Sequence, residues 1–339
     1  MDVQDQTEAS QTLTVATQKG VDMRLNSAEL SMSNEGFDMF RRDHIEPAAA
    51  RLISVVEADV LQGATKLVYN LTGTAGTVPG ASGDTSMIGA ARAKLNQNFA
   101  PEGNRSLQID SVTMASIVNG NKAIFHDGPQ VKEAFLEGYY SRGAGFDWYE
   151  NERILALLNG SDHTTVTIND ASIASGDSAL TIAGANYTAG SVFTLGAVAD
   201  SPVYAVNQET KSAYSHLQQF VATNTGTTSL TFSPAYVTTG AKQNVSALPV
   251  TGKDVTFFGT ASTTYKNALA YHQDFCVFAT ADLPMMADAA SCTVRSQDGI
   301  TVRVWQGSDI RNDELLMRID ILYGYAVVRP EWACRINCT

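Results

Sequence analysis

The sequence contains few charged residues and few cysteines. Asp, Glu, Lys and Arg make up 17% of its 339 residues, whereas roughly 25% is usual in soluble domains. The shortage is concentrated in residues 159–252, where Thr, Ser, Ala, Gly and Val dominate. Cys276 and Cys292 lie in apolar or strand-like surroundings, where a buried free thiol is expected. Cys334 and Cys338 have no histidine nearby and no C-x-x-C spacing, which argues against a zinc site and fits a reducing cytoplasm.

Long apolar runs and an excess of positive charge are also missing. No segment of about 20 consecutive apolar residues occurs, so we expect no transmembrane helix. The first residues, MDVQDQTEAS, are acidic and polar, unlike a secretory signal or a transit peptide. The chain carries 35 acidic and 23 basic residues, a net charge of −12. Because DNA affinity depends largely on Lys and Arg neutralising phosphates, a dedicated DNA-binding module is not expected.

The usual catalytic and cofactor motifs are absent from the sequence. It has no G-x-S-x-G, H-E-x-x-H or G-x-G-x-x-G pattern. The glycine-rich loop at residues 73–86 contains no lysine and does not match a phosphate-binding P-loop. The His272-Gln273-Asp274 run could be an acid–base pair, but a polar residue at a helix-to-strand junction explains it equally well. We predict no catalytic, cofactor-binding or metal-binding residues, because the histidines are scattered: His44, His126, His163, His216 and His272.

Two kinds of surface cluster have both a structural and a functional interpretation. The Arg41-Arg42-Asp43 run is expected on a solvated helix face, with an intersubunit salt bridge as the alternative. Tyr139-Tyr140 and Trp148-Tyr149 are expected to be core or interface anchors. Acidic residues flank the second pair and would repel phosphate, which argues against a base-stacking platform.

The longest β signal covers residues 298–336. Apolar residues at 300, 302 and 304 alternate with larger or polar ones, the period-two pattern of a half-buried strand. Residues 307–313 form a polar turn, and a second alternating run continues until Pro330 ends it. We predict two long antiparallel strands, whose charged residues form a candidate charged face: Arg303, Arg318 and Asp320.

The rest of the chain outside residues 159–252 is predicted to mix helices and strands. Residues 12–16 and 21–25 alternate as two strands, with a turn between them at Lys19-Gly20. A long amphipathic helix is predicted from Asn34 to about Leu61, with a kink or break at Pro47. Further helices are predicted after Asp84 and at residues 111–118, 130–137 and 264–270, and further strands at 107–109, 143–155 and 274–281.

Residues 159–252 differ from both flanks in composition and in periodicity. Short alternating runs recur at nearly even spacing, separated by Gly, Asn or Asp. This pattern predicts a small β-barrel or β-sandwich rather than a disordered segment. The predicted strands cover residues 165–168, 179–182, 191–195, 203–206, 217–221 and 229–232.

The C-terminal block, with the ATADLP motif at residues 279–284, resembles the C-terminal part of bacteriophage major capsid proteins. The AGFD segment at residues 144–147 resembles a segment of gene-five-like coat proteins. The interior β-domain is typical of the podophage-type branch of these tailed-phage proteins. The resemblance runs from residue 34 to residue 336. It implies an α+β protein with the Johnson-type (Hong Kong phage) capsid fold, containing a long spine helix, a peripheral-domain antiparallel sheet, an axial domain and an inserted small β-barrel.

The resemblance also implies where the domains lie. Coat proteins of this family carry an N-terminal arm and most of an extended loop before the point where this sequence begins. We therefore expect the sequence to start inside that loop, or to lack a piece that is removed or numbered separately. Neighbouring subunits are expected to order residues 1–30. The implied domains are 1–30 (end of the extended loop), 31–125 (peripheral domain with the spine helix, and start of the axial domain), 126–158 (axial domain), 159–252 (inserted β-barrel) and 253–339 (return of the axial domain and peripheral-domain strands).

The implied function is that of a major capsid protein, made in the host cytoplasm and located in the virion. Its copies would form the hexamers and pentamers of an icosahedral head around double-stranded DNA. Implied partners are copies of itself, a scaffolding protein, the portal, an optional decoration or cement protein, and packaged DNA without sequence readout; no membrane or cofactor is implied. Two other classes stay open: a virion or surface β-domain that binds a receptor or glycan, and a hydrolase with a non-obvious site.

Overall fold

The structure is a computed structural model that describes residues 10–26, 41–81, 85–121, 142–163, 165–197, 200–287, 290–297 and 299–338. Helices and strands are mixed and sheets dominate, in agreement with the predicted α+β class. The chain divides into two compact units. The first unit contains the residues up to Val60 and Cys276–Val328, and the second contains Leu61–Phe275 and the residues from Arg329 onwards.

The described α-helices are α1 (Glu46–Lys66), α2 (Ser86–Gln97) and α3 (Ser111–Asn121). A π-helical turn at Arg41–Ile45 precedes α1. Pro47 is the second residue of α1 and follows the π-helical turn directly, so its missing N–H interrupts the helical hydrogen-bond series where the geometry changes. The predicted break at Pro47 is thus a change from π to α geometry, and α1 continues past Leu61. None of these described helices is both long and apolar enough to cross a membrane.

Some predicted features lie outside the described residues. They are the helix start at Asn34, the capping residue Asp84, the helix at 130–137, His126 and Tyr139-Tyr140.

The strands in the described part of the chain are short in the middle of the sequence and long towards its end. In chain order they are β1 (Thr17–Asn26), β2 (Leu71–Thr72), β3 (Arg105–Ile109), β4 (Arg142–Gly143), β5 (Phe146–Glu150), β6 (Leu155–Leu158), β7 (Thr165–Thr167), β8 (Ala179–Thr181), β9 (Val192–Leu195), β10 (Tyr204–Val206), β11 (Ala213–Leu217), β12 (Gln219–Ala222), β13 (Ser229–Ser233), β14 (Asp254–Phe257), β15 (Thr264–His272), β16 (Cys276–Ala281), β17 (Ser291–Gln297), β18 (Ile300–Asp309), β19 (Glu314–Val327) and β20 (Ala333–Asn337).

The first unit is built on a five-stranded antiparallel sheet. Its order is β1-β19-β18-β17, and β16 pairs with the end of β19. The two long predicted strands are confirmed as β18 and β19, which extend into the predicted turn and leave only residues 310–313 between them. Apolar residues of α1 pack on one face of β19, where the cluster contains Leu52, Val56, Ile319, Ile321 and Tyr323.

The turn predicted near the N-terminus is wrong, because residues 17–26 form the single strand β1. Lys19 and Gly20 pair with Ile321 and Asp320 of β19. A Cβ added at Gly20 would lie 3.1 Å from the Asp320 Cβ. The glycine therefore serves close approach between two strands rather than a change of direction.

The second unit contains a seven-stranded sheet covered by α2 and α3. Its order is β2-β20-β15-β3-β5-β4, with β6 also paired to β15. The helix predicted at residues 264–270 is wrong, since these residues lie in β15. Ala268 and Ala270 are fully buried between β20 on one side and β3 on the other. Their helical propensity is small compared with the pairing gained on both edges of the strand.

The segment predicted as the insert forms its own six-stranded antiparallel sheet in the second unit. The order is β7-β14-β9-β12-β13-β8, and β10 pairs with β11 as a separate ribbon. The edge segments after β7 and β8 also meet, because the Asn169 N–H donates to the Thr181 carbonyl and the Ala183 N–H to the Thr167 carbonyl, both at 2.9 Å. The sheet includes β14, which follows the predicted end of the insert at Gly252. The sequence pattern at residues 217–221 is divided between β11 and β12.

Candidate functional site

His272, the histidine whose sequence context most resembles an acid–base pair, forms a hydrogen bond within a local turn. The Nδ1 atom of His272 accepts a hydrogen bond from the Asp274 N–H at 3.3 Å. The ring is buried and meets the Trp332 ring edge-on, with centroids 5.4 Å apart. The His272-Gln273-Asp274 run thus lies where β15 ends in a 3₁₀ turn, rather than at the predicted helix-to-strand junction. Across the described residues, no three His, Cys, Asp or Glu side chains converge as metal ligands.

The aromatic pair Trp148-Tyr149 and the four cysteines were the other candidates from the sequence, and their surroundings indicate structural roles. The buried Trp148 ring donates from Nε1 to the Gly143 carbonyl at 2.8 Å, whereas Tyr149 is exposed. Cys334 and Cys338 are fully buried, and burial raises the pKa of each thiol to about 12. Such thiols stay protonated and are weak nucleophiles. Cys276 and Cys292, predicted as buried, are only half-buried.

The glycine-rich loop packs against a helix. Gly80 has φ +83°, and a Cβ there would lie 2.4 Å from the Cα of Ile117 in α3. Gly76 in the same loop has φ +76° and open space around it. The two glycines thus share a left-handed backbone but differ in packing.

The Gly80→Ala variant should be less stable than Gly76→Ala. A left-handed backbone costs each alanine about 1–2 kcal/mol, and overpacking against α3 should cost Gly80→Ala about 1–3 kcal/mol more. Urea unfolding of both variants measures the difference. Equal losses would mean that Gly80 does not pack on α3 as described.

The predicted charged face of β18 and β19 is a buried ion pair in the first unit. Arg303 donates from Nε to Asp320 Oδ1 at 3.0 Å and from Nη2 to Oδ2 at 2.5 Å. The exposed fractions of these side chains are 5% and 0%. Gln18 of β1 donates to the same carboxylate at 2.8 Å, and Arg318 Nε lies 3.3 Å away. The Arg303 Nη1 donates to the Pro284 carbonyl at 2.9 Å. The network therefore joins three strands and the ATADLP segment.

Strand register brings the members of this network together. Arg303 and Asp320 are direct cross-strand partners, and Arg318 lies two residues along on the same face. Gly20 of β1 lies opposite Asp320 and leaves room for the carboxylate. On the other face of β19, the fully buried Tyr323 donates its hydroxyl to the Asp59 carboxylate of α1. Polar contacts thus reinforce both faces of the strand.

The predicted insert, residues 159–252, is joined to the rest of the second unit by a buried arginine of β20. Arg335 donates from Nη1 to the Gly190 carbonyl and from Nη2 to the Lys66 carbonyl, both at 2.7 Å. Lys66 is the last residue of α1, where the helix dipole is negative. Burial lowers the pKa of the Arg335 guanidinium to about 9, which still leaves it charged at neutral pH. Carbonyl dipoles, rather than a carboxylate, stabilise this charge.

Two side-chain amides complete this insert junction. Gln219 accepts from the Leu71 N–H and donates to the Leu71 carbonyl, both at 2.9 Å. Asn159 donates to the carbonyls of Phe258 and Thr260 at 3.2 and 3.1 Å. The beginning of the insert therefore lies against residues 258–260.

Sequence reasoning placed the start of the insert at Asn159 but did not identify Gln219 or Arg335 as junction residues. Arg335 had a visible signal, because it is the one charged residue in the apolar run 333–336. Its partners are backbone carbonyls, which no side-chain pattern reveals.

Comparisons with known proteins give a family match over almost the whole chain. The model of the family described as P22 coat protein, gene protein 5, matches residues 2–335. A search of curated proteins finds no match. Similar solved structures come from Mycobacterium phage Che8 (12% identity, 98% of this chain and 76% of the other, TM-score 0.49), from the capsid of cyanophage P-SCSP1u (12%, 98% and 78%, 0.46) and from the mature capsid of bacteriophage PhiM1 (9%, 99% and 78%, 0.45).

Proposed function

The chain belongs to the P22 coat protein family, and from this premise we propose how it builds a phage head. It is a major capsid protein of a tailed bacteriophage, and its copies form the icosahedral head. We propose that the capsomers are hexamers and pentamers and that the role is assembly rather than catalysis. The family match over residues 2–335 carries this proposal. Electron microscopy of the assembled protein tests it directly.

We propose that the subunit has the Johnson-type capsid fold. In this proposal the first unit is the peripheral domain, with α1 as the spine helix, and the second unit holds the axial domain. Packing of Leu52 and Val56 on β19 supports the first assignment, because a helix lying on a long antiparallel sheet is expected there. The sheet covered by α2 and α3 supports the second. We also propose that residues 1–30 gain contacts from neighbouring subunits in the assembled shell.

The insert is proposed to be a small closed β-barrel on the shell's outer side. Its edge segments are hydrogen-bonded, which supports closure. Its core contains stacked and edge-to-face aromatic rings, including Phe193, Phe220, Phe232 and Phe257. Because β14 pairs with β7 and β9, we propose that the domain covers residues 159–263.

A fragment of residues 159–263 should fold alone, whereas a fragment ending at residue 252 should not. The shorter fragment lacks β14, whose Val255 and Phe257 are buried in the barrel core. Circular dichroism and thermal melting should give a β spectrum and one cooperative transition for the longer fragment only. A cooperative melt of the shorter fragment would contradict the role of β14. A coil spectrum for the longer one would mean that the insert needs the rest of the subunit.

We propose that assembly involves a scaffolding protein and the portal, with a decoration or cement protein as an optional partner, and that synthesis occurs in the host cytoplasm. Packaged DNA would be contacted without sequence readout. The net charge of −12 supports this, because an acidic shell adheres weakly to phosphates.

A further inference from the structure

A polar cleft of about 440 Å³ lies in the second unit between the insert and the helical layer around α2. Some of its lining residues precede or follow the insert in the chain, including Tyr69 and Lys94. Others belong to the β10–β11 ribbon and a following loop, including His216 and Lys242. The cleft is therefore lined by basic groups from both sides of the insert junction.

Lys94 of α2 has no counter-ion among the described residues. It lies in the last turn of α2, and its side chain is partly buried. Within the described part of the chain, its ammonium group has no hydrogen-bond acceptor and no ion-pair partner. Burial accordingly lowers the pKa of Lys94. A partly buried ammonium group without an acceptor in the protein favours binding of an acceptor supplied from outside.

His216 of the insert lines the same cleft as Lys94. Its ring stacks on Tyr214, with centroids 5.3 Å apart and an interplanar angle of 17°. Burial, and then the charge of Lys94, lower the pKa of His216 to about 4. Burial is thus the main cause of both shifts, and neither side chain forms an ion pair within the described residues.

Glu331 is an acidic residue that lines the cleft, and within the described residues it forms no ion pair with Lys94 or His216. Burial raises the pKa of its carboxyl group, and the charge of Arg329 opposes this effect. Burial also raises the pKa of Tyr69, which stays a neutral hydroxyl. Lys242 adds a second ammonium group at the cavity wall.

We propose that this cleft binds a small oxyanion, a phosphate or a carboxylate, between Lys94 and His216. Two oxygens of one anion can accept from the Lys94 ammonium and from a ring N–H of His216. Because Lys94 belongs to α2 and His216 to β11 of the insert, the bound anion links the insert to the helical layer. This site is independent of the proposed role in shell assembly, and its test does not require shells.

Thermal unfolding of the full chain in chloride, inorganic phosphate and acetate at equal ionic strength tests the proposal. The unfolding midpoint should rise by about 3 °C or more in phosphate, acetate or both, and the rise should saturate with concentration. The comparison of phosphate with acetate identifies which oxyanion the cleft takes. General salting effects do not saturate and define the baseline.

Two variants separate the cleft from the rest of the surface. Lys94→Met should lose the saturable rise, whereas Lys253→Met, which removes an ammonium paired with Asp200 on the insert, should keep it. No saturable rise in either oxyanion, or a rise that persists in Lys94→Met, would overturn the proposal.

A second measurement on the unaltered protein covers the case in which Lys94→Met fails to fold. With isotope-labelled histidine, adding the same oxyanion should shift the NMR ring signals of His216 and leave those of His272 in place. Unchanged His216 signals would overturn the proposal as well.

Discussion

Replacing Asp320 with alanine should lower the free energy of unfolding of the subunit by about 3–5 kcal/mol, the usual effect of removing one partner of a buried ion pair. The Arg303 guanidinium would lose both bonds of its bidentate contact while staying buried. Gln18 of β1 would lose its acceptor as well. Urea unfolding, followed by near-ultraviolet circular dichroism, measures the loss.

The matched control is another aspartate on the same network. Asp22 lies 3.6 Å from Arg318, and its side chain is 71% exposed. Asp22→Ala should cost less than about 1 kcal/mol, since exposed ion pairs contribute little. If Asp320→Ala costs no more than Asp22→Ala, the network is not buried as described.

A double replacement separates the charge from the packing. Arg303→Met with Asp320→Leu removes both charges and keeps apolar volume, so much of the lost stability should return. A double variant as unstable as Asp320→Ala would assign the loss to packing at this point of the sheet.

Arg335→Ala should cost about 3–5 kcal/mol, because two charge-assisted hydrogen bonds are lost and the Lys66 and Gly190 carbonyls become unsatisfied. The variant should also loosen the insert. Hydrogen exchange should accelerate at Gly190 and at Leu71, which lie on the two sides of the insert junction.

Arg329→Ala is the control for this prediction. Arg329 is exposed, and its guanidinium lies 4.2 Å from the centre of the Trp332 ring. Losing this contact should cost about 1 kcal/mol or less, with no change in exchange at Gly190. If Arg335→Ala leaves exchange at Gly190 unchanged, Arg335 does not hold the insert to the rest of the second unit.

The strands that could be predicted from the sequence are those whose apolar residues alternate over many positions. Strands β18 and β19 were predicted in this way, because a long period-two run with a polar turn leaves few alternatives. Strand β15 was not, since its Asn-Ala-Leu-Ala core has helical propensity and becomes a strand only through pairing with β20 and β3. Gly20 was interpreted as a turn because close contact with Asp320 depends on a residue three hundred positions away.

The candidate site was also predicted only in part, because its local pattern is visible in the sequence and its long-range contacts are not. Arg303, Arg318 and Asp320 were recognised as a charged group, but only the register of three strands determines that the carboxylate is buried. Arg335 could have been noticed as a charge within an apolar strand. Its acceptors, the carbonyls of Lys66 and Gly190, come from a helix end and a turn that no sequence pattern connects.

Electron microscopy of the coat protein, expressed together with its own scaffolding protein, tests the central claim most directly. We expect closed shells with icosahedral symmetry, built from hexamers and pentamers of this chain. Particles that remain monomers or dimers under every assembly condition, although the protein is folded, would contradict the claim that this chain assembles the phage head.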